Sequence, residues 1–576
     1  MSDGRKRAVG VAPGTARPGA QGARDFDAIV IGSGPGGSTA ADELTAAGWS
    51  VVIFERGRNH LIDLDDPHRL ATDYSNDEIK FLERHFLGPD PFLEPRTFRR
   101  TGFDGDHEHV GDVNNLPATV GGGGVHADGK LPRFVEEDFC LRESRGPIDD
   151  AVVEDWPISY DDLEPYYAEA ERRIGVAGDA TANPFAAWRS GPYPMPPGAP
   201  MYGSVLTAAV AEGMGYHPYM APAGANSVPY DGRPACNNCG FCAFFGCPIH
   251  AKGDPVAPLQ RALLTGRAEL RPEAFVSRII VSGGRATGVE YVGADGVTRS
   301  ERARHVVLAA GATETPRLLL LSGLENPNIG RHLMFHLQTL VYGELEARVH
   351  GHKGRSVTHV HDDALVATPA SASAAREAGL PWIRGGLVEH GGPAHLVMEA
   401  KNYPWGVRHK RAMRASPMRD HMWGFCMQGE DLPQPTNRID LDPSVRDVRG
   451  FPVARITHRP HRHELVASAY YGSQLEDVLR RTGAKWVGTV TSPSPERTDY
   501  SSPISPVPIS RHVVGTARMG TDPATSVCDP WGRVHGVHNI TVADSSTFVT
   551  STGYGPTLTL VALAIRAARA MTGDSP

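Results

Sequence analysis

The sequence predicts an α/β chain: a Rossmann-like nucleotide-binding domain carrying a second, antiparallel sheet. Three observations carry that prediction. Near the start, the apolar run Ala28–Ile31 ends in Gly32, Gly34 and Gly37, spaced G-x-G-x-x-G. Far downstream, Arg304–Ala312 is a second buried strand ending in glycine, followed by an apolar helix over Arg317–Ser322. Between about residues 335 and 500, stretches such as Leu340–Leu345 and Arg438–Leu441 alternate as strands covered on one face do.

The first unit has a direct physical reading. Gly32 allows a tight turn, Gly34 lets the backbone approach a pyrophosphate, and Gly37 lets a helix over residues 38–47 pack against its strand. The N-terminus of that helix faces the phosphates with unpaired N–H groups. A second strand, Val51–Phe54, delivers Glu55 where an acid takes the ribose hydroxyls. Strand, glycine turn, helix and acid together predict dinucleotide binding, without separating one dinucleotide from another.

At 576 residues the chain exceeds one ordinary core, so several interleaved domains are expected. The reading divides it into a tail over residues 1–24, a nucleotide-binding domain over 25–330 with an inserted cap and cysteine loop, a substrate domain over 331–510, and a C-terminal return over 511–576. The nucleotide domain is discontinuous, because the strand at 304–312 must rejoin the first sheet. The tail, rich in Gly, Ala, Pro and Arg, reads as disordered. With 58 basic against 66 acidic residues, the net charge of −8 argues against a nucleic-acid partner. No apolar run is long enough to span a bilayer and no secretory signal is evident, so a cytoplasmic location is the expectation.

Four of the seven cysteines, Cys236, Cys239, Cys242 and Cys247, form a C-x2-C-x2-C-x4-C-P run. Thiolates packed this closely suit iron and sulfide, as in a ferredoxin run, and zinc, metal-free thiols or a disulfide are the alternatives. Cys140, Cys426 and Cys528 are isolated and read as packing residues.

The glycine fingerprint, Gly121–Gly124, the run from Gly311 to Leu319, Asn437-Arg438-Ile439, His512–Thr516 and Pro556–Thr559 occur in the order found in glucose–methanol–choline oxidoreductases, which the chain resembles over nearly all of its length after the tail. The segment Trp156–Tyr167 and the cysteine run are similar to the bacterial sugar and gluconate dehydrogenase branch. The stretch from Asp522 to Val534 is similar to the aminoglycoside alcohol oxidases. The resemblance implies FAD in a domain of the glutathione-reductase kind, and oxidation of an alcohol group of a sugar, glycoside or other polyol.

It also implies roles. His512 matches the family's catalytic histidine, whose neutral imidazole takes the hydroxyl proton. Asp544, Pro556 and Thr557 are implied at the flavin half of the cofactor, and Gly122 and Gly123 lie against it. His126 is a linkage site for covalent FAD or, more commonly in such a place, a substrate-facing residue. The family usually carries Asn or His immediately before its Pro-Thr-Leu-Thr segment, and this chain has Gly555 there. The missing hydrogen bond is then supplied by Tyr554 or by a water working with His512. The rival reading is a flavoprotein with lyase-like or binding function. The implied partners are a small alcohol or sugar and an electron acceptor, whether a protein, a quinone or oxygen.

Overall fold

The computed structural model describes residues 25–69, 90–114, 116–240, 242, 246–391, 404–494 and 506–573. Residues 1–24, read above as a tail, lie outside these.

The nucleotide unit folds as its sequence dictates. Strand β1 (Phe26–Ile31), helix α1 (Pro35–Ala46) and strand β2 (Val51–Phe54) follow in order. The helix begins three residues earlier than the expected residue 38, because Pro35 sits at its first position, where a missing N–H costs nothing. The two strands pair in parallel, with Val30 opposite Ile53. On the other side of β1 lies Thr298–Leu308, also parallel, with Val307 opposite Val30. The C-terminal strand Ile540–Val542 adds to that same long strand, and Ala268–Arg271 adds to β2.

The N-terminal half of Thr298–Leu308 continues into an antiparallel meander with Arg285–Val292 and Phe275–Ser282. The result is a seven-stranded sheet assembled from three separated parts of the sequence. The helix after Thr298–Leu308 runs over Gly311–Leu321, beginning six residues before the expected Arg317, with Pro316 inside it rather than ahead of it. The C-terminal helix, Thr557–Thr572, buries most of its length, including Leu558, Ala562 and Ile565, against this domain.

A six-stranded antiparallel sheet stands apart, in the order Ala484–Ser492, Leu337–Leu345, Met422–Gly429, Val388–Gly391, Val357–His361 and Tyr219–Met220. Leu337–Leu345 alternates buried and half-buried residues, the periodicity its sequence showed. Helix Arg462–Arg481 covers one face, burying Ala467, Leu475 and Val478. Its last strand, Tyr219–Met220, comes from outside residues 331–510, so this sheet is closed by a piece of the inserted cap. A four-stranded sheet likewise joins Arg96–Arg99 to Pro452–Thr457 in parallel.

Candidate active site

Two cavities meet between these layers. The first, of about 340 Å³, runs along the ends of the parallel strands, lined by Gly32, Gly34, Glu55, Gly122, Gly123 and Asp544. Its backbone construction suits a dinucleotide. A Cβ on Gly37 would stand 1.9 Å from the Gly32 carbonyl oxygen, so α1 can lie this close to β1 only with glycine there. A Cβ on Gly34 would meet nothing within 4 Å, because that backbone faces the open channel.

Helix α1 and helix Thr557–Thr572 both start without a side-chain cap, at Gly34 and Pro556, and both starts line this channel. Their first-turn N–H groups are therefore left for a ligand's phosphates or ring oxygens. Glu55 is buried, accepting from Ser33 N at 3.1 Å, Ser33 Oγ at 2.6 Å and Gly57 N at 2.8 Å, which fixes its carboxylate at the channel wall. Asp544 also lines the channel, its carboxylate held by Gly311 N at 2.9 Å, Thr315 Oγ1 at 2.6 Å and Ser546 N at 2.9 Å. Burial raises its pKa against those bonds.

The second cavity, of about 780 Å³, opens beneath the antiparallel sheet. His126, Asp128, Arg511, His512 and Thr557 line both spaces. His512 thus stands at the junction, where a ring in the channel and a molecule in the cavity would meet.

His512 has a partner that the linear sequence does not announce. Its Nδ1 lies 2.9 Å from Nδ1 of His336, 176 residues away, with the rings at 86°. His336 Nε2 lies 3.4 Å from the Ser551 carbonyl oxygen, which can only accept, so Nε2 carries the proton. The neutral His336 then accepts at Nδ1, and His512 donates from its own Nδ1. That assignment leaves the lone pair of His512 on Nε2. Gln428 Oε1, 3.4 Å from His336 Nδ1, already accepts from Gln338 Nε2 at 3.1 Å, so the shorter histidine contact decides. Burial, then His336, then the Lys130 ammonium hold the His512 pKa well below the usual imidazole value, and burial lowers that of His336. Both rings are neutral at neutral pH.

Gly555 faces His512. A Cβ there would stand 3.7 Å from His512 Cε1 and 3.9 Å from Nε2, ordinary contact distances. The Tyr554 expectation is corrected: its side chain turns away from the cavity, its hydroxyl donating to Asp362 Oδ2 at 2.9 Å and its ring stacking on Phe134. Adjacent residues here face opposite ways, so Tyr554 cannot reach the space beside His512.

The cavity wall supplies other polar groups instead. Lys130 Nζ donates to Asp128 Oδ2 and Glu389 Oε2, each at 2.7 Å, and Gln428 Nε2 donates to Glu389 Oε1 at 3.2 Å. Burial works against the charge on Lys130, but the two carboxylates outweigh it and raise its pKa. The ammonium holds Asp128 down at about 2 in spite of burial, whereas burial wins at Glu389 and raises it. Lys130 follows His126 by four residues, the one signal in the sequence that could have placed it at this wall. His336, Glu389 and Gln428 come from separate strands or turns, and only the fold brings them together.

The cysteine run forms no disulfide. Among the described residues, no three of its sulfur atoms lie within 4.8 Å of one another, closer than which a single tetrahedral zinc ion would need them. The Cys242 thiol is pushed up to about 11 by burial, with Lys252 and Arg355 pulling the other way and the Cys236 and Cys247 thiols near enough to add to it.

A dinucleotide channel that meets a large cavity at a neutral histidine is the arrangement of a dinucleotide-dependent oxidoreductase. Comparison with known proteins places the chain within that class. Family models described as GMC oxidoreductase match residues 220–338 and 433–564. The 2-methyl-1,2-propanediol dehydrogenase of Mycolicibacterium austroafricanum is 30% identical over 94% of both chains. The 6'''-hydroxyparomomycin C oxidase of Streptomyces lividus is 31% identical over 98% of this chain and 93% of its own. A formate oxidase structure superposes with a TM-score of 0.66, covering 96% of this chain and all of its own, at 16% identity, a likeness of fold alone. The chain belongs to the GMC oxidoreductase family and is an FAD-dependent enzyme that oxidises CH–OH groups.

Proposed function

We propose that the protein oxidises an alcohol group of a sugar, glycoside or other polyol to a carbonyl, with His512 as the proton acceptor. The observation that carries this reading is the free lone pair of His512 Nε2 at the junction of the two cavities. FAD, when bound, supplies the two-electron acceptor for the hydride. Gly34, Glu55, Gly122, Gly123, Asp544 and the helix starting at Thr557 would hold it.

The protein's part is proton transfer and orientation. His512 Nε2 takes the hydroxyl proton, and the resulting positive charge is shared with His336 through the Nδ1 contact. The Ser551 carbonyl oxygen, accepting from Nε2–H, keeps His336 in place. Lys130 brings a permanent positive charge to the cavity wall near the oxygen that becomes negative as its proton leaves. Where relatives of the family carry Asn or His, the room beside Gly555 admits a water or the substrate's own hydroxyl. The polyol class rests on the large cavity lined by Asp128, Lys130, Glu389 and Gln428, groups that pair with hydroxyls, and on relatives named for diols, gluconate and aminoglycosides.

Anaerobic reduction of the purified holoprotein by a panel of diols, sugars and glycosides tests the reading. Bleaching of the flavin by at least one polyol is expected, and a flavin that no CH–OH compound reduces would remove it. The cysteine run extends the proposal: an iron–sulfur cluster there would pass electrons singly to a protein or quinone acceptor, making oxygen a poor one. Iron and acid-labile sulfide in anaerobically purified protein are the expected finding, and full activity without either would eliminate the cluster. Among the described residues no helix is long and apolar enough to cross a membrane, and we take the enzyme to act in the cytoplasm.

A further inference from the structure

Outside the active site, one group among the described residues converges as metal ligands do. One ring nitrogen each from His350 and His352 and a carboxylate oxygen of Asp420 all lie within 4.8 Å of one another. His350 Nδ1 stands 3.6 Å from Asp420 Oδ1, just beyond a hydrogen bond. In both histidines Nδ1 is buried and has no hydrogen-bond partner. Two buried imidazole nitrogens without a partner are costly as they stand.

We infer that His350, His352 and Asp420 form a binding site for a borderline divalent cation such as Zn²⁺ or Co²⁺, distinct from the flavin and the cysteine run. Two nitrogen ligands and one carboxylate suit such ions better than Ca²⁺ or Mg²⁺, which favour all-oxygen sites. Ligands held 2.0–2.1 Å from a tetrahedral ion sit about 3.4 Å apart, so the His350–Asp420 pair is nearly in place and the rest of the group needs to contract by at most about 1.4 Å.

The surroundings support the ligand assignment. The His352 ring hydrogen-bonds the main chain of Arg419, and since its Nδ1 is unpartnered, this bond belongs to Nε2–H. A ligating histidine is held in just this way, its far N–H on a backbone carbonyl and its near lone pair free for the metal. The backbone is tied as well: Val349 N and His350 N both donate to the Asp420 carbonyl, at 2.8 and 3.2 Å. Half-exposed His350 leaves the fourth position open to water. The charges facing the group are Asp420, Arg419 and Lys353. Arg419 Nε makes a long 3.4 Å bond to Asp420 Oδ1 while its Nη1 is committed to the Met413 carbonyl at 2.8 Å, so the carboxylate is only weakly claimed.

An ion here would brace a loop with two further contacts. Gly240, inside the cysteine run, packs so closely on the His352 carbonyl that a Cβ would stand 2.7 Å from it. Ser356, four residues beyond His352, donates to Asp128 of the cavity wall at 3.3 Å. The ion would thus pin the segment that lies between the cysteine run and the substrate cavity.

Titration of metal-stripped, FAD-loaded protein with Co²⁺, read by visible absorption and calorimetry, tests the site. One ion per chain is expected, with a spectrum lacking a thiolate charge-transfer band, and with affinity weakened at least about tenfold by His352→Ala and by Asp420→Asn. Retained FAD content shows that each variant has folded, and His350→Gln provides a milder third substitution. No binding at about 100 µM metal, a thiolate band, or unchanged stoichiometry and affinity in all three variants would each overturn the inference.

Discussion

The nucleotide channel and the substrate cavity share a wall at His512 and are built on opposite principles. The channel is made of backbone: glycines that let main chains touch, strand ends, and two uncapped helix starts at Gly34 and Pro556. The cavity is made of side chains drawn from distant places, with Lys130, Glu389 and Gln428 converging on its wall and His336 standing behind His512. Where its main chains touch, as at Gly32 and Gly37, the backbone site tolerates no added atom, whereas a side-chain site can be altered group by group. The difference teaches where substitution should abolish the protein and where it should tune it.

The largest effect is expected at the backbone site. Gly37→Val puts a branched side chain where even a Cβ would lie 1.9 Å from the Gly32 carbonyl oxygen, so α1 must leave β1. The variant should be insoluble or purify without flavin, which absorbance at the flavin band checks. A soluble, yellow Gly37→Val protein would break the comparison at its stronger end.

His512→Ala comes next. It should keep FAD but slow anaerobic flavin reduction by about 10²-fold or more, the usual scale for losing a general base. Stopped-flow reduction at saturating substrate reads it, and an unchanged rate would transfer the proton to another group.

Lys130→Met sharpens the account of tuning. A general base works when deprotonated, and the His512 pKa is held well below the ordinary imidazole value of about 6.5. The wild-type reduction rate should therefore stay flat as pH falls from about 8 past 6.5. Lys130 is one of the groups holding that pKa down, after burial and His336. Removing its charge should move the acid limb of the profile upward, and an unmoved limb would separate Lys130 from His512.

The smallest effect is expected at Gly555, whose backbone is not in the left-handed region and whose missing Cβ would make only ordinary contacts with His512. Gly555→Asn should change the reduction rate by no more than about threefold, roughly 0.65 kcal/mol, in either direction. A collapse would show that the space itself is needed for substrate.

Much of the channel was legible before folding, because its requirements are local. The G-x-G-x-x-G spacing from Gly32, the strand Val51–Phe54 ahead of Glu55, and Pro556 before the last helix each express a rule that holds within a few residues. The cavity was legible only at His512 and Gly555, through a family resemblance. Tyr554 was misread because its side chain leaves the bend at residues 553–554 toward Asp362 and Phe134, away from the cavity, and which side meets the cavity is not written in the segment itself.

By itself, then, the sequence determined the α/β class, the dinucleotide unit and the alternation that makes Leu337–Leu345 a half-covered strand. Only the tertiary structure decided that His336 would orient His512, that Lys130 would sit between Asp128 and Glu389, and that Tyr219–Met220 would close the antiparallel sheet. The physical reason is range: turns, caps and periodicity follow from steric and hydrogen-bonding rules acting on near neighbours. A proton's position on a ring depends instead on partners up to 215 residues apart, and no local rule selects them.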